Sequence, residues 1–189
     1  MKLDHLSLHT TETAQWHALV SEAEAAAGCA LKEDTESYLV FMLMRFIRKA
    51  RLAKDSLALV YLQALQKRGA LREQALREVG DQCLLYAGLF PEQAQRRCVP
   101  VSYYVDVGRS AYLLLWSERS NDLFYRLSLA FVEMMDVLLN VREIDRGGRA
   151  LQPLQAHELW AHTGSRHARR IVQEAVGRVP IVAASRQVH

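Results

Sequence analysis

Apolar residues recur at steps of three and four through nearly the whole chain, and strand-like alternation between turns is almost absent. That is the period of an α-helix, which brings every third or fourth side chain back to one face. A first helix is predicted from Thr11 to Ala27, with Gly28 as its stop. A second starts near Asp34, whose carboxylate stands ready to cap the amides ahead of it, and continues through SYLVFMLMRFIRKA. Tyr38 to Ile47 is apolar nearly all round, which predicts a helix buried on every side, the axis of the core.

A third helix follows Asp55, with Leu57, Ala58, Tyr61, Leu62 and Leu65 on one face, and stops at Lys67-Arg68-Gly69. The fourth, about Leu71 to Ala87, turns Leu76, Val79, Gly80, Cys83, Leu84 and Ala87 inward before Gly88 and Pro91. PEQAQRRCVP reads as a loop or short turn, and a fifth helix begins after Pro100, with Ser102 as the candidate cap, and reaches roughly Glu118. The sixth is one helix from Asn121 to Gly147-Gly148, with Leu127, Phe131, Met134, Leu138 and Val141 inward and Arg126, Glu133, Asp136, Asn140 and Glu143 as its polar stripe. Pro153 suits the first turn of a short helix, and Ser165 caps a last amphipathic one. The expectation is an all-α, compact bundle of about seven or eight helices around a central apolar helix, with residues 1–177 as a single domain and 178–189 as a C-terminal tail.

Composition narrows the class. Half of the 189 residues are apolar and about a quarter charged, as in ordinary globular domains. The longest apolar run, Tyr38 to Met44, is seven residues, far short of a bilayer span, and MKLDHLSLHTTE has none of the marks of a signal peptide. Three cysteines without a CxxC pair fit a reducing cytoplasm. The net charge of +3 is unevenly placed. Seven acids precede residue 37, a basic block gathers Arg45, Arg48, Lys49, Arg51 and Lys54, and five arginines from Arg166 to Arg186 enrich the C-terminus. Such blocks attract acidic partners, but helical arginines ordinarily lie over apolar surface with their heads in water, so nucleic-acid binding is disfavoured.

Each candidate for chemistry meets a plainer alternative. Glu133 and Asp136 have the spacing of paired site carboxylates, yet they fall on the polar stripe and no Glu-x-x-His accompanies them, so a solvated face is expected. His157, His162 and His167 recur every five residues, which turns consecutive members to different sides of a helix; His5 and His9 lie in a segment unfit to hold them rigidly. Metal binding is therefore not expected. Gly108-Arg109-Ser110-Ala111-Tyr112 lacks the second glycine and the preceding strand of a nucleophile elbow. Neither a phosphate-cradling GxxxxGK[ST] nor a dinucleotide GxGxxG occurs. Cys83 reads as a small core hydrophobe, and Cys98 follows Arg96 and Arg97 with no histidine nearby. A helix-turn-helix over Leu71 to Leu89 would need a phase break near Gly80 that the apolar face does not show. No catalytic residue, metal or cofactor is assigned.

Gly80 to Tyr112 is the most distinctive stretch, with four tyrosines, paired arginines and helix-interior glycines. A glycine inside a helix costs about 1 kcal/mol against alanine, which points to close approach of another backbone or a ligand. Gly80 and Gly108 are thus expected where the fourth and fifth helices cross. Tyr103, Tyr104, Tyr112 and Arg109, with Arg96 and Arg97, are the candidates for a ligand or partner surface; the alternative places them in core packing, with Arg109 pairing to Asp81 or Asp106. The pattern G-D-x-x-L-x-x-x-G-x-F-P-E, then R-R, then Y-Y-x-D-x-G-R-x-A-Y, resembles a family of uncharacterised bacterial helical proteins. The resemblance implies a bacterial, all-α protein and carries no activity or catalytic residue with it.

Three functional expectations follow. The first is a non-enzymatic protein-interaction or regulatory module, a homodimer through the sixth helix, whose apolar face Phe124, Met135 and Leu139 widen beyond what one neighbour would cover. The second is a small-molecule-binding protein or enzyme with an anion-accepting pocket between helices. Nucleic-acid binding through basic helical faces comes third.

Overall fold

The computed structural model describes residues 11–49, 56–148 and 150–177. His5, His9, Arg51, Lys54, Asp55, Arg178, Arg186 and the tail lie outside them. Among the described residues there are ten helices and no strand: α1 (Glu12–Ala27), α2 (Glu33–Lys49), α3 (Leu57–Gln66), α4 (Gly69–Gly88), α5 (Pro91–Arg96), α6 (Val101–Arg119), α7 (Asp122–Leu129), α8 (Phe131–Arg146), α9 (Pro153–Thr163) and α10 (Arg166–Gly177). The fold is all-α and closes around one core, and among the described residues no helix is long and apolar enough to cross a membrane.

Several ends form as their residues dictate. The Thr11 hydroxyl accepts from the Ala14 amide at 3.2 Å, and Gly28 leaves α1 at φ +66°, a conformation that a side chain would strain. The Asn121 side chain caps α7 through Leu123 N, and the Ser165 hydroxyl accepts from Ala168 N at 3.0 Å to start α10. Other expected caps differ. Asp34 lies inside the first turn of α2 and holds Arg126 at 2.6 Å instead of capping. Pro100 precedes α6, and Ser102 is buried, its hydroxyl donating to Glu158. Pro91 opens the short helix α5 where a loop or turn was expected.

The expected sixth helix is two. Ala130, at φ −83° and ψ +6°, interrupts the chain between α7 and α8. The break escapes a periodicity reading because Leu127, Phe131 and Met134 stay buried through it. The expected axis also moves. On α2, Phe41 is 58% exposed, and the helix packs chiefly on α1 and α7. The central position belongs to α4, buried almost continuously from Val79 to Gly88 and packed against α3, α5, α6 and α8. Its pairing with α6 is the most extensive in the molecule. Ala58 and Leu62 of α3 face outward rather than inward. Met135 and Leu139 are fully buried, since α8 has α1 on one side and α4 on another. The breadth of that apolar face is thus taken up within the chain.

Candidate functional site

The middle of α4 carries a carboxylate where its neighbours are apolar: Asp81 is 4% exposed and belongs to the inward face between Gly80 and Cys83. A buried carboxylate persists only if its lone pairs are met, and here α2 and α6 supply the donors. The Tyr38 hydroxyl donates to Oδ1 at 2.5 Å and the Tyr112 hydroxyl donates to the same oxygen at 2.8 Å, while Arg45 donates to Oδ2. Arg77, one turn before Asp81, donates from Nε to the Tyr38 oxygen at 3.3 Å and lies 4.0 Å from Asp81 Oδ2. Its guanidinium also sits over the Tyr38 ring. Tyr38 therefore donates one bond and accepts another, which locks its rotor. Burial pushes the Asp81 carboxyl above its ordinary value, against the downward pull of Tyr38, Arg45, Tyr112 and Arg77. Burial, and then the charge of Asp81, also raises both phenols, so they stay neutral donors.

Asp81, Arg45 and Arg77 of this cluster line a cleft of about 810 Å³ between α2 and α4, and the two tyrosines lie behind them. One wall is apolar, with Met42, Phe46, Leu85 and Phe124; the other carries Glu73, Arg77, Glu78 and Gln82. The Gln82 side-chain oxygen is buried with no hydrogen-bond partner. An apolar wall facing a few fixed polar groups is the usual make-up of a small-molecule site, and the volume falls in the usual range.

The residues singled out from the sequence do not converge on one place. Tyr112 joins the Asp81 cluster. Tyr104 stacks on Tyr86 with centroids 5.3 Å apart, Tyr103 meets Tyr104 edge-on, and Arg97 lies over the Tyr86 ring while donating to its hydroxyl at 3.2 Å. Arg109 bonds the Ser128 carbonyl at 3.2 Å rather than Asp81 or Asp106, and Arg96 is exposed. Gly80 is buried against the Tyr112 ring, and Gly108 against the Phe131 ring and Cys83 Cβ. At these glycines it is aromatic rings, rather than a bare backbone, that fill the space. Tyr38, Arg45, Arg77 and Asp81 were missed; the legible signal was an acid and two tyrosines placed on otherwise apolar helix faces.

A second polar centre lies under α10. Asp136 and Asn140 were expected on a solvated face, but both are buried, because α10 covers that side of α8. Asp136 accepts from the Ser165 hydroxyl at 2.5 Å and from the amides of Arg166 and His167, so it holds the N-terminal end of α10. His167 is buried and meets Glu143 Oε1 at 3.2 Å through Nε2. His157 and His162 are exposed, the latter 3.0 Å from Asp106. Among the described residues no group of three or more His, Cys, Asp or Glu is placed to hold a metal ion. No family model, no curated protein and no solved structure matches the chain.

Proposed function

We propose that the protein is a small-molecule-binding helical domain whose ligand lies in the α2–α4 cleft. The supporting observation is that Asp81, fixed by Tyr38 and Tyr112, lines that cleft with Arg45 and Arg77 opposite an apolar wall. The carboxylate is engaged by three donors and both phenols are neutral, so the cluster suits holding a polar head group rather than taking a proton from it. The head group bonds Arg77, and the ligand body lies on Met42, Phe46 and Phe124. With three free thiols, we place the protein in a reducing cytoplasm. Native mass spectrometry of freshly purified protein, followed by a thermal-shift screen of metabolites, tests this reading. A retained or stabilising small molecule, lost when Gln74→Trp fills the cleft from its exposed rim, supports it. No ligand in either experiment, or one that Gln74→Trp leaves in place, overturns it.

A second reading, a protein-interaction module or homodimer, is favoured by the outer faces of α3 and the start of α4, where Leu59, Leu62 and Leu71 are 50%, 55% and 69% exposed. Size-exclusion chromatography with light scattering at micromolar concentration checks the dimer, and a monomer alone removes it.

A further inference from the structure

We infer a second binding site, for a phosphoryl group, in the cavity of about 560 Å³ between the α1–α2 turn, the α7–α8 junction and the α9–α10 turn. It shares no lining residue with the α2–α4 cleft and stands independently of the reading given for that cleft.

Four cations line this cavity, Lys32, Arg109, Arg126 and Arg166, against two carboxylates, Glu133 and Asp136. The cations come from α6, α7, the start of α10 and the segment before α2, so it is the tertiary fold, not one helix surface, that converges them. The Asp136 oxygens are held by the Ser165 hydroxyl and two α10 amides, and even with both carboxylates counted the lining carries more positive than negative groups. Arg126 is balanced by Asp34 just outside the cavity. The other three keep donors to spend. Arg109 uses Nε on the Ser128 carbonyl, which leaves both terminal nitrogens. Arg166 uses one terminal nitrogen on the Gly28 carbonyl at 2.7 Å. Lys32 has no side-chain partner among the described residues.

Two guanidinium groups anchored by their own carbonyl bonds and one unspent ammonium form a cradle that matches a multiply charged oxyanion, since fork-shaped donors pair with planar or tetrahedral oxygen sets. The α8 N-terminus, where Ala130 offers no cap, adds charge of the same sign. Cys29 also lines the cavity, but burial, then the charges of Glu133 and Glu24, pushes its thiol up to about 11, so it is a neutral wall rather than a nucleophile. Glu133 is the opposing charge: exposed, with no partner among the described residues, and on the same rim.

Isothermal titration with inorganic phosphate and with glycerol 1-phosphate, at ionic strength held constant with potassium chloride, tests the site. Saturable binding is expected below about 20 mM. Arg109→Gln and Lys32→Gln each weaken it about tenfold. Glu133→Gln tightens it about two- to fivefold, because the repelling charge is gone. Gln74→Trp, in the other cleft, leaves it unchanged, so loss of one site does not pass for loss of the other. Stronger binding of the ester than of free phosphate identifies an esterified ligand, and equal binding identifies the free ion. No saturable binding, or the same affinity in the Arg109, Lys32 and Glu133 variants, overturns the inference.

Discussion

The ring of Tyr112 occupies the space that a side chain on Gly80 would need: a Cβ built there would come within 2.4 Å of the ring's Cε1. The hydroxyl of the same ring reaches the carboxylate of the very next residue, Asp81. Gly80→Ala must displace this ring. Overpacking of a well-filled core costs about 1–3 kcal/mol, against a gain of about 1 kcal/mol from helix propensity. A lower urea midpoint is expected, together with a smaller or absent effect for Gly148→Ala, where nothing lies within 4 Å. Equal midpoints for the two variants would show that the contact is not tight.

Removing the acceptor is expected to be worse than removing one donor. Asp81→Ala strands two buried phenols and leaves Arg45 without its partner, for a loss of about 3 kcal/mol; Tyr112→Phe deletes one bond and is expected to lose about 1 kcal/mol. The double variant should fall near Asp81→Ala alone, since both act on one network. Chemical denaturation of the three variants checks this, and strict additivity would contradict it.

Glu143 contributes to the acid limb of the stability curve. Burial raises its carboxyl, but the bond from His167, the Ala150 amide and the charge of Arg170 together outweigh that and hold it below its ordinary 4.5. A depressed acid stabilises the fold above the unfolded value, and that contribution disappears as pH falls through the folded value. The advantage of the native protein over Glu143→Gln is therefore expected to be full above 4.5 and to shrink below it. A difference that stays constant across that range in thermal melts would refute the assignment.

The three thiols should label in a fixed order. Cys98 is exposed, Cys29 is half-buried with its thiol raised to about 11, and Cys83 is fully buried. Burial first, and then the charge of Asp81, pushes the Cys83 thiol further up still. Iodoacetamide followed by peptide mass mapping is expected to find Cys98 first, then Cys29, with Cys83 modified only on unfolding. Early labelling of Cys83 would mean that α4 opens readily.

Helix ends were legible where a single residue carries the signal, as Thr11, Gly28 and Ser165 do, because capping is chemistry within one turn. The α7–α8 break was not, since Ala130 is no breaker and the apolar phase runs straight through it. The candidate site was half visible. Tyr112 stood out, but Asp81 entered only as an alternative partner for Arg109, and Tyr38 and Arg45, which bind it, lie 43 and 36 residues away. Asp136 misled for the same reason: its side of α8 looks solvated until α10, 30 residues later, comes to lie over it. Local pattern records which way a residue faces on its own helix, not which distant helix arrives there.

The guanidinium groups of Arg166 and Arg170 hold the carbonyls of Gly28 and Ala26, 138 and 144 residues earlier in the chain. Those carbonyls are the open end of α1, so the opening helix of the fold waits for the closing one to finish it. During synthesis the α1 terminus stays unclasped until Arg166 and Arg170 have left the ribosome, and closing so long a loop comes late because its entropy must be overcome first. A chain cut off before Arg166 would hold a bundle whose first helix is docked on α2 and α8 but still frayed at its end.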